Sequence, residues 1–176
     1  MNLSAWRRSP ITLVVVVSLL VATCRTVQRT RGPLHAELRT DSTEIGVHFG
    51  GTLYLAKIGF VFVNQTSGPV SKAGCGFPPW PEVQKLVNKQ WVIAYNPAYL
   101  MCRTYPDYSI ESGASIHSEI PFMAARPGGN MSPVLTVDSI DGLYRLRWIW
   151  SEGRVAGAKG ARQVEAISNQ FRMTLR

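Results

Sequence analysis

The sequence lacks the common catalytic signatures. It holds no Gly-x-Ser-x-Gly, no His-Glu-x-x-His, no phosphate loop and no Cys-x-x-Cys. No internal repeat and no low-complexity tract is present, so solenoid and disordered-array readings fall away. Helical periodicity is also missing. Only residues 154–167 admit even one helical turn, and their glycines argue against more. Charged residues make up just 17% and apolar residues 45%, a globular rather than a disordered balance.

Acidic residues are few: 11 Asp+Glu stand against 19 Lys+Arg, for a net charge of +8. Much of the excess sits at the start of the chain, in Arg7, Arg8, Arg25, Arg29 and Arg31. From Leu34 onward 14 Lys+Arg face 11 Asp+Glu, a surplus of 3. No Lys/Arg cluster remains there to track a phosphate backbone, so nucleic acid is not an expected partner.

What is present begins with a segment that directs the chain out of the cytoplasm. Arg7-Arg8 precedes an almost wholly apolar run, Ile11 to Ala22, with small residues at its end. A basic start, a short apolar run and small residues form a secretory signal. A membrane-spanning helix needs about 20 apolar residues, and this run is shorter. Val21-Ala22-Thr23-Cys24 resembles the lipobox of bacterial lipoproteins, whose Cys is acylated. It departs at Thr23, where Gly, Ala or Ser is usual. Ordinary cleavage near Cys24 and retention as an anchor stand beside lipidation at Cys24. Residues 1–24 are therefore expected to be signal or anchor. Residues 25–33, polar, basic and ending in Gly32-Pro33, are expected to be a tether, and 34–176 one domain.

With Cys24 assigned to that segment, Cys75 and Cys102 remain, an even pair. In an exported domain the expectation is one disulfide between them, with two buried free thiols as the alternative. Closing such a loop stabilises by roughly 3–4 kcal/mol in the chain-entropy model.

The domain reads with a period of two. In Leu53 to Val63, one face carries Tyr54, Ala56, Ile58, Phe60 and Phe62. Val83 to Val87 and Gln90 to Tyr95 flank Asn88-Lys89, a two-residue hairpin turn. Ile116 to Phe122 alternates up to Pro121, which suggests an edge or a strand end. In Tyr144 to Trp150, the residues Tyr144, Leu146, Trp148 and Trp150 share a face opposite Arg145, Arg147 and Ile149. Phe171 to Leu175 and Ile45 to Phe49 add short strands. Seven to nine such strands between Gly/Pro/Asn/Ser turns predict an all-β, immunoglobulin-like two-sheet sandwich.

Two resemblances point the same way. Asp141-Gly142-Leu143-Tyr144-Arg145-Leu146 resembles the tyrosine corner of immunoglobulin-like folds, where a Tyr hydroxyl bonds back to the backbone. From about Gly59 to Leu175 the chain is similar to a loose group of exported bacterial immunoglobulin-like domains. The shared outline includes Phe60 to Asn64, Cys75-Gly76 before a Pro-rich turn, Lys89 to Tyr95, Cys102, Ile110 to Gly113, Arg126 to Asn130, and Gly142 to Leu146. Many of that group carry a signal or lipobox. The resemblance implies a fold and a compartment, with no agreed activity.

Candidate binding residues lie in two loops. Tyr95, Tyr99, Arg103, Tyr105 and Tyr108 crowd one of them around Cys102. Phe77 and Trp80 belong to the other, a stiff Pro-rich stretch after Cys75. Tyr, Trp and Arg favour binding surfaces, and loops at sandwich ends carry recognition. Arg145 and Arg147 are further candidates, for an acidic partner or simply a solvated face. His117-Ser118-Glu119 is similar to the His-x-Glu of zinc deaminases, but the paired cysteines are missing. His35, His48 and His117 are widely spaced, and Glu111 with Glu119 is one acid pair among many. No metal or cofactor is expected. Asn64-Gln65-Thr66 fits an N-glycosylation acceptor.

These readings predict a non-enzymatic, envelope-associated or secreted binding or structural domain. Its partner would be an envelope protein or glycan, with the membrane reached through the N-terminal segment. A proteinase-inhibitor-like or chaperone-like sandwich is the alternative, and an enzyme with a dispersed site the remote one.

Overall fold

The computed structural model describes residues 35–74, 79–97 and 105–176. The chain divides into two units, Met1–Arg31 and Gly32–Arg176. The signal, Cys24 and the whole of the tether lie outside the described residues, as do Cys75, Phe77, Tyr99, Cys102 and Arg103.

The described part is all-β. Its strands are β1 (Ala36–Thr40), β2 (Glu44–Phe49), β3 (Leu53–Asn64), β4 (Val70–Gly74), β5 (Glu82–Val87) and β6 (Gln90–Tyr95). They are followed by β7 (Tyr105–Ile110), β8 (Ser115–Ala125), β9 (Gly142–Glu152), β10 (Gln163–Ile167) and β11 (Phe171–Leu175). Hydrogen bonds link all 11 into one mixed sheet.

Two long strands organise the pairing. β3 takes β8 on one edge, along Leu53 to Val63. Its other edge takes β1 at Phe60 to Asn64 and β2 at Tyr54 and Leu55. β9 takes β11 and β10 on one edge, β5 and β4 on the other. β6 extends β5, and β7 extends β4. β2 belongs to both groups: Glu44 to Val47 run parallel to β11, while His48 and Phe49 pair antiparallel with β3.

The core lies where the apolar faces of β3 and β9 meet. Ile58, Phe60 and Phe62 are fully buried, as are Tyr144, Leu146, Trp148 and Trp150 to within 1%. The Trp148 ring centroid sits 5.3 Å from that of Phe60 and 5.2 Å from that of Phe62, and Trp150 lies 5.2 Å from Phe62. Each such side chain contributes about 1.5–3 kcal/mol by burial, and edge-on or offset ring pairs about 0.5–1.5 kcal/mol more.

The alternation read along β3 and β9 is thus the alternation that packs them. The Asn88-Lys89 hairpin also forms, with φ of 49° and 65° at its two residues. Tyr144 donates its hydroxyl to the Ile140 carbonyl at 2.7 Å. Burial, and secondarily the Asp141 carboxylate, raises the pKa of that phenol. Beside it the Lys85 ammonium donates to the Ser139 carbonyl at 2.7 Å and to its hydroxyl at 3.2 Å. Gly142 lets Lys85 pass: a Cβ there would stand 2.7 Å from Lys85 Cε, and its φ of 151° disfavours a side chain.

Eleven strands replace the expected seven to nine. β1, β4, β7 and β10 were not among them. Residues 154–167, expected to hold at most a helical turn, form turns and then β10, with Val164 and Ala166 buried.

Candidate functional site

The ends of β4 and β7 frame the expected loop face. Gly74 pairs with Tyr105 across that ladder. Gly74 is the last described residue before 75–78 and Tyr105 the first after 98–104. Trp80 is partly exposed and packs against the core. Tyr108 is also partly buried, its ring 6.4 Å from that of Trp150. Trp80 and Tyr108 are expected surface residues whose side chains lie partly exposed at this end, Tyr105 is placed by its backbone pairing with Gly74, and Phe77, Tyr99 and Arg103 lie outside the described residues.

Tyr95 is a correction. It is fully buried, its ring 4.5 Å from Phe122. The cause is a bulge. Val83 pairs with Tyr95 but Gln84 pairs with Ile93, so Ala94 is the extra residue in β6. Strict alternation from Trp91 and Ile93 would put Tyr95 outside; the extra residue turns it inward. Its hydroxyl then donates to the Pro121 carbonyl at 3.3 Å and accepts from the Met123 N–H at 3.4 Å. Burial raises its pKa, opposed by the Met123 N–H.

Arg145 and Arg147 share the outer face of β9, as expected, but both have partners within the chain. Arg147 donates to Glu165 at 2.6 Å and reaches Glu82 at 3.4 Å. The Glu165 bond is the main cause of its raised pKa. Arg145 donates to Gln84 at 2.9 Å and lies over the Trp91 ring at 4.5 Å. Burial lowers the pKa of Arg145. These contacts form a polar ladder across β6, β5, β9 and β10 that orders the arginines without an external acid.

The histidines are apart. His117 Nε2 meets the Asp41 carboxylate at 3.1 Å, in a bond whose direction depends on the tautomer. Glu119 shares the outer face of β8 with His117 and pairs with Lys57 at 3.1 Å. Glu111 pairs with Arg154 at 2.9 Å, so the two glutamates are not a carboxylate pair. Among the described residues no group of three or more His, Cys, Asp or Glu could hold a metal ion.

The Asn64 sequon is internal. Asn64 is fully buried, and its amide nitrogen donates to the Gly68 and Ile110 carbonyls, both at 2.9 Å. Its carbonyl oxygen accepts from the Thr66 N–H and hydroxyl. The folded domain leaves no polar atom of this side chain for a glycan.

Sequence reasoning missed one feature, an open groove of about 570 Å³ between β2 and β3, lined by Ile45, Gly46, Leu55, Lys57 and Met123 among others. Alternation alone gives no sign of it, because it depends on where β2 changes partners. Compared with known protein families and with curated proteins, the chain matches none.

Proposed function

We propose that residues 34–176 form an immunoglobulin-like sandwich that acts as a non-enzymatic binding module, exported and held at the cell envelope or secreted through residues 1–24. The fold reading is supported by β2, which leaves β3 to run parallel to β11. It is also supported by ring packing between β3 and β9, which are not hydrogen-bonded to each other, and by the Tyr144 hydroxyl on Ile140.

The observation that carries the binding reading is the Gly74–Tyr105 pair. Cys75 is one residue from it and Cys102 three, a separation that a short backbone easily spans. This supports a Cys75–Cys102 bridge and a shared surface of Phe77, Trp80, Tyr99, Arg103, Tyr105 and Tyr108. Tyr95, buried against Phe122, is left out of that surface. The ligand would be an envelope protein or a glycan, bound through aromatic area and an arginine.

The test is binding of the purified domain to a glycan array and to immobilised envelope proteins. Tyr99→Ala with Trp80→Ala should abolish every saturable signal while melting remains cooperative. Unchanged binding by a folded double variant would remove the loop face from the reading. Intact mass before and after reduction tests the rest. Two alkylations that appear only after reduction support the bridge, and a diacylglyceryl-type addition at Cys24 supports the tether.

A further inference from the structure

The groove between β2 and β3 has walls made of strand edges. Its geometry follows from the partners of β2. The Thr43 and Val47 carbonyls accept from the N–H groups of Arg172 and Arg176, so alternate residues of β2 face β11. Gly46, between them, directs its N–H and C=O to the opposite edge, toward β3. On β3, the Gly59 carbonyl accepts from the Asp41 N–H, which puts the polar groups of Lys57, two residues away, on that same edge. The β2–β3 ladder stops at His48 and Leu55. One step further, Gly46 and Lys57 would be partners, but the strands have diverged and the groove lies between them.

The two ends of this fork are already closed. The Ser42 hydroxyl takes both backbone groups of Glu44, accepting from its N–H at 3.2 Å and donating to its carbonyl at 2.7 Å. Asp41 closes Gly59. The open stretch is therefore one residue on each wall. Its floor and rim are apolar: Ile45 and Phe122 reach it from inside, and Leu55 and Met123 remain 37% and 40% exposed. Met at such a position adapts to differing side chains.

The rim also carries charge. Arg176 lies across Gly46, where a Cβ would meet its Nε at 2.6 Å, and it makes no ion pair among the described residues. Lys57 stands on the other wall, already paired with Glu119. Glu44 stands on the β2 wall at the end away from His48.

We propose that this fork binds an extended segment of a partner polypeptide by strand addition. Successive residues of the segment pair through their backbones, one with Gly46 and the next with Lys57, and set an apolar side chain on the floor, with an acidic neighbour beside Arg176. Unpaired strand edges call for a peptide backbone, which a hydrocarbon ligand cannot replace. A guanidinium with no ion pair among the described residues gives the segment its acidic flank. This site is separate from the loop face, and either can fail without the other.

The probe is a fluorescein-labelled peptide of sequence Ser-Val-Leu-Val-Glu, followed by fluorescence polarisation and by amide hydrogen exchange on the domain. Saturable binding is expected, with slowed exchange at Gly46 and Lys57. N-methylation of the central Leu amide should weaken binding at least about tenfold, the scale of one lost backbone hydrogen bond. Leu55→Lys with Met123→Lys should abolish it, and since both sites are partly exposed the variant should fold. Arg176→Ala should weaken the acidic peptide and leave a Gln-ended one unchanged. The proposal is overturned if the N-methylated peptide binds equally well, if decanoate displaces the probe as effectively as peptide does, or if no saturation occurs. A concentration-dependent dimer that Leu55→Lys dissolves would assign the groove to a second copy instead, and would also overturn it.

Discussion

Asn64 uses every polar atom of its amide, and in doing so joins the end of β3 to the end of β7. Asn64→Ala removes the buried amide donor of the Ile110 carbonyl and the acceptor of the Thr66 N–H, while the Gly68 carbonyl keeps the Thr66 hydroxyl. A loss of roughly 2–4 kcal/mol is expected from urea unfolding. Tyr144 makes a pH-dependent contribution. Its folded pKa is raised by burial, so the unfolded chain ionises first, near pH 10. Below that pH the stabilisation is complete; as pH climbs beyond it the unfolded state holds fewer protons and stability falls. Lys72 and Lys85 act in the opposite sense, because burial lowers their pKa and stability gained from shedding that proton rises with pH. Tyr144→Phe isolates the tyrosine component. It should cost about 1 kcal/mol at pH 8 and flatten the alkaline fall in urea titrations between pH 8 and 11. An unchanged alkaline slope would mean that Tyr144 is not its source.

At the scale of elements, the β5–β6 hairpin holds Lys89 at a φ of 65°, in the left-handed region. Lys89→Gly should relieve it and stabilise by about 0.5–1 kcal/mol, read as a higher midpoint in chemical denaturation. β8 pairs along only one edge with a full strand. Its other edge is covered by the Tyr95 hydroxyl at Pro121 and Met123, and by Pro133 and Leu135 at Ala125. Tyr95→Phe should therefore speed hydrogen exchange at the Met123 amide while leaving Ile120 slow. Long strands with one apolar face were legible in the sequence because burial repeats along them: β3, β9 and the Asn88-Lys89 hairpin. Short strands were not. β1 has only Ala36, Leu38 and Thr40 turned inward, β7 contains Pro106, and β10 follows a glycine-rich turn. Tyr95 reads as part of the Tyr-rich loop that follows it, but one bulge residue in β6 turns it into the core. The fork was hidden for a related reason: its walls are backbone, and Gly46 carries no side chain to mark them.

Over the whole molecule, stability rests on the aromatic layer between β3 and β9. Trp148 touches Phe60, Phe62 and Trp150 there, so Trp148→Ala should cost about 3–5 kcal/mol and lower the melting temperature without splitting the transition. The parallel ladder between β2 and β11 joins the beginning of the domain to its end. A ribosome that has finished β2 must make almost the entire domain before the partner of that strand exists. Until then Ile45 and Val47 have only the short contact with β3 to hold them in place. The nascent chain is accordingly expected to stay open to protease up to Phe171 and to close in one late step once β11 emerges. Such a chain remains threadable for as long as it is being synthesised.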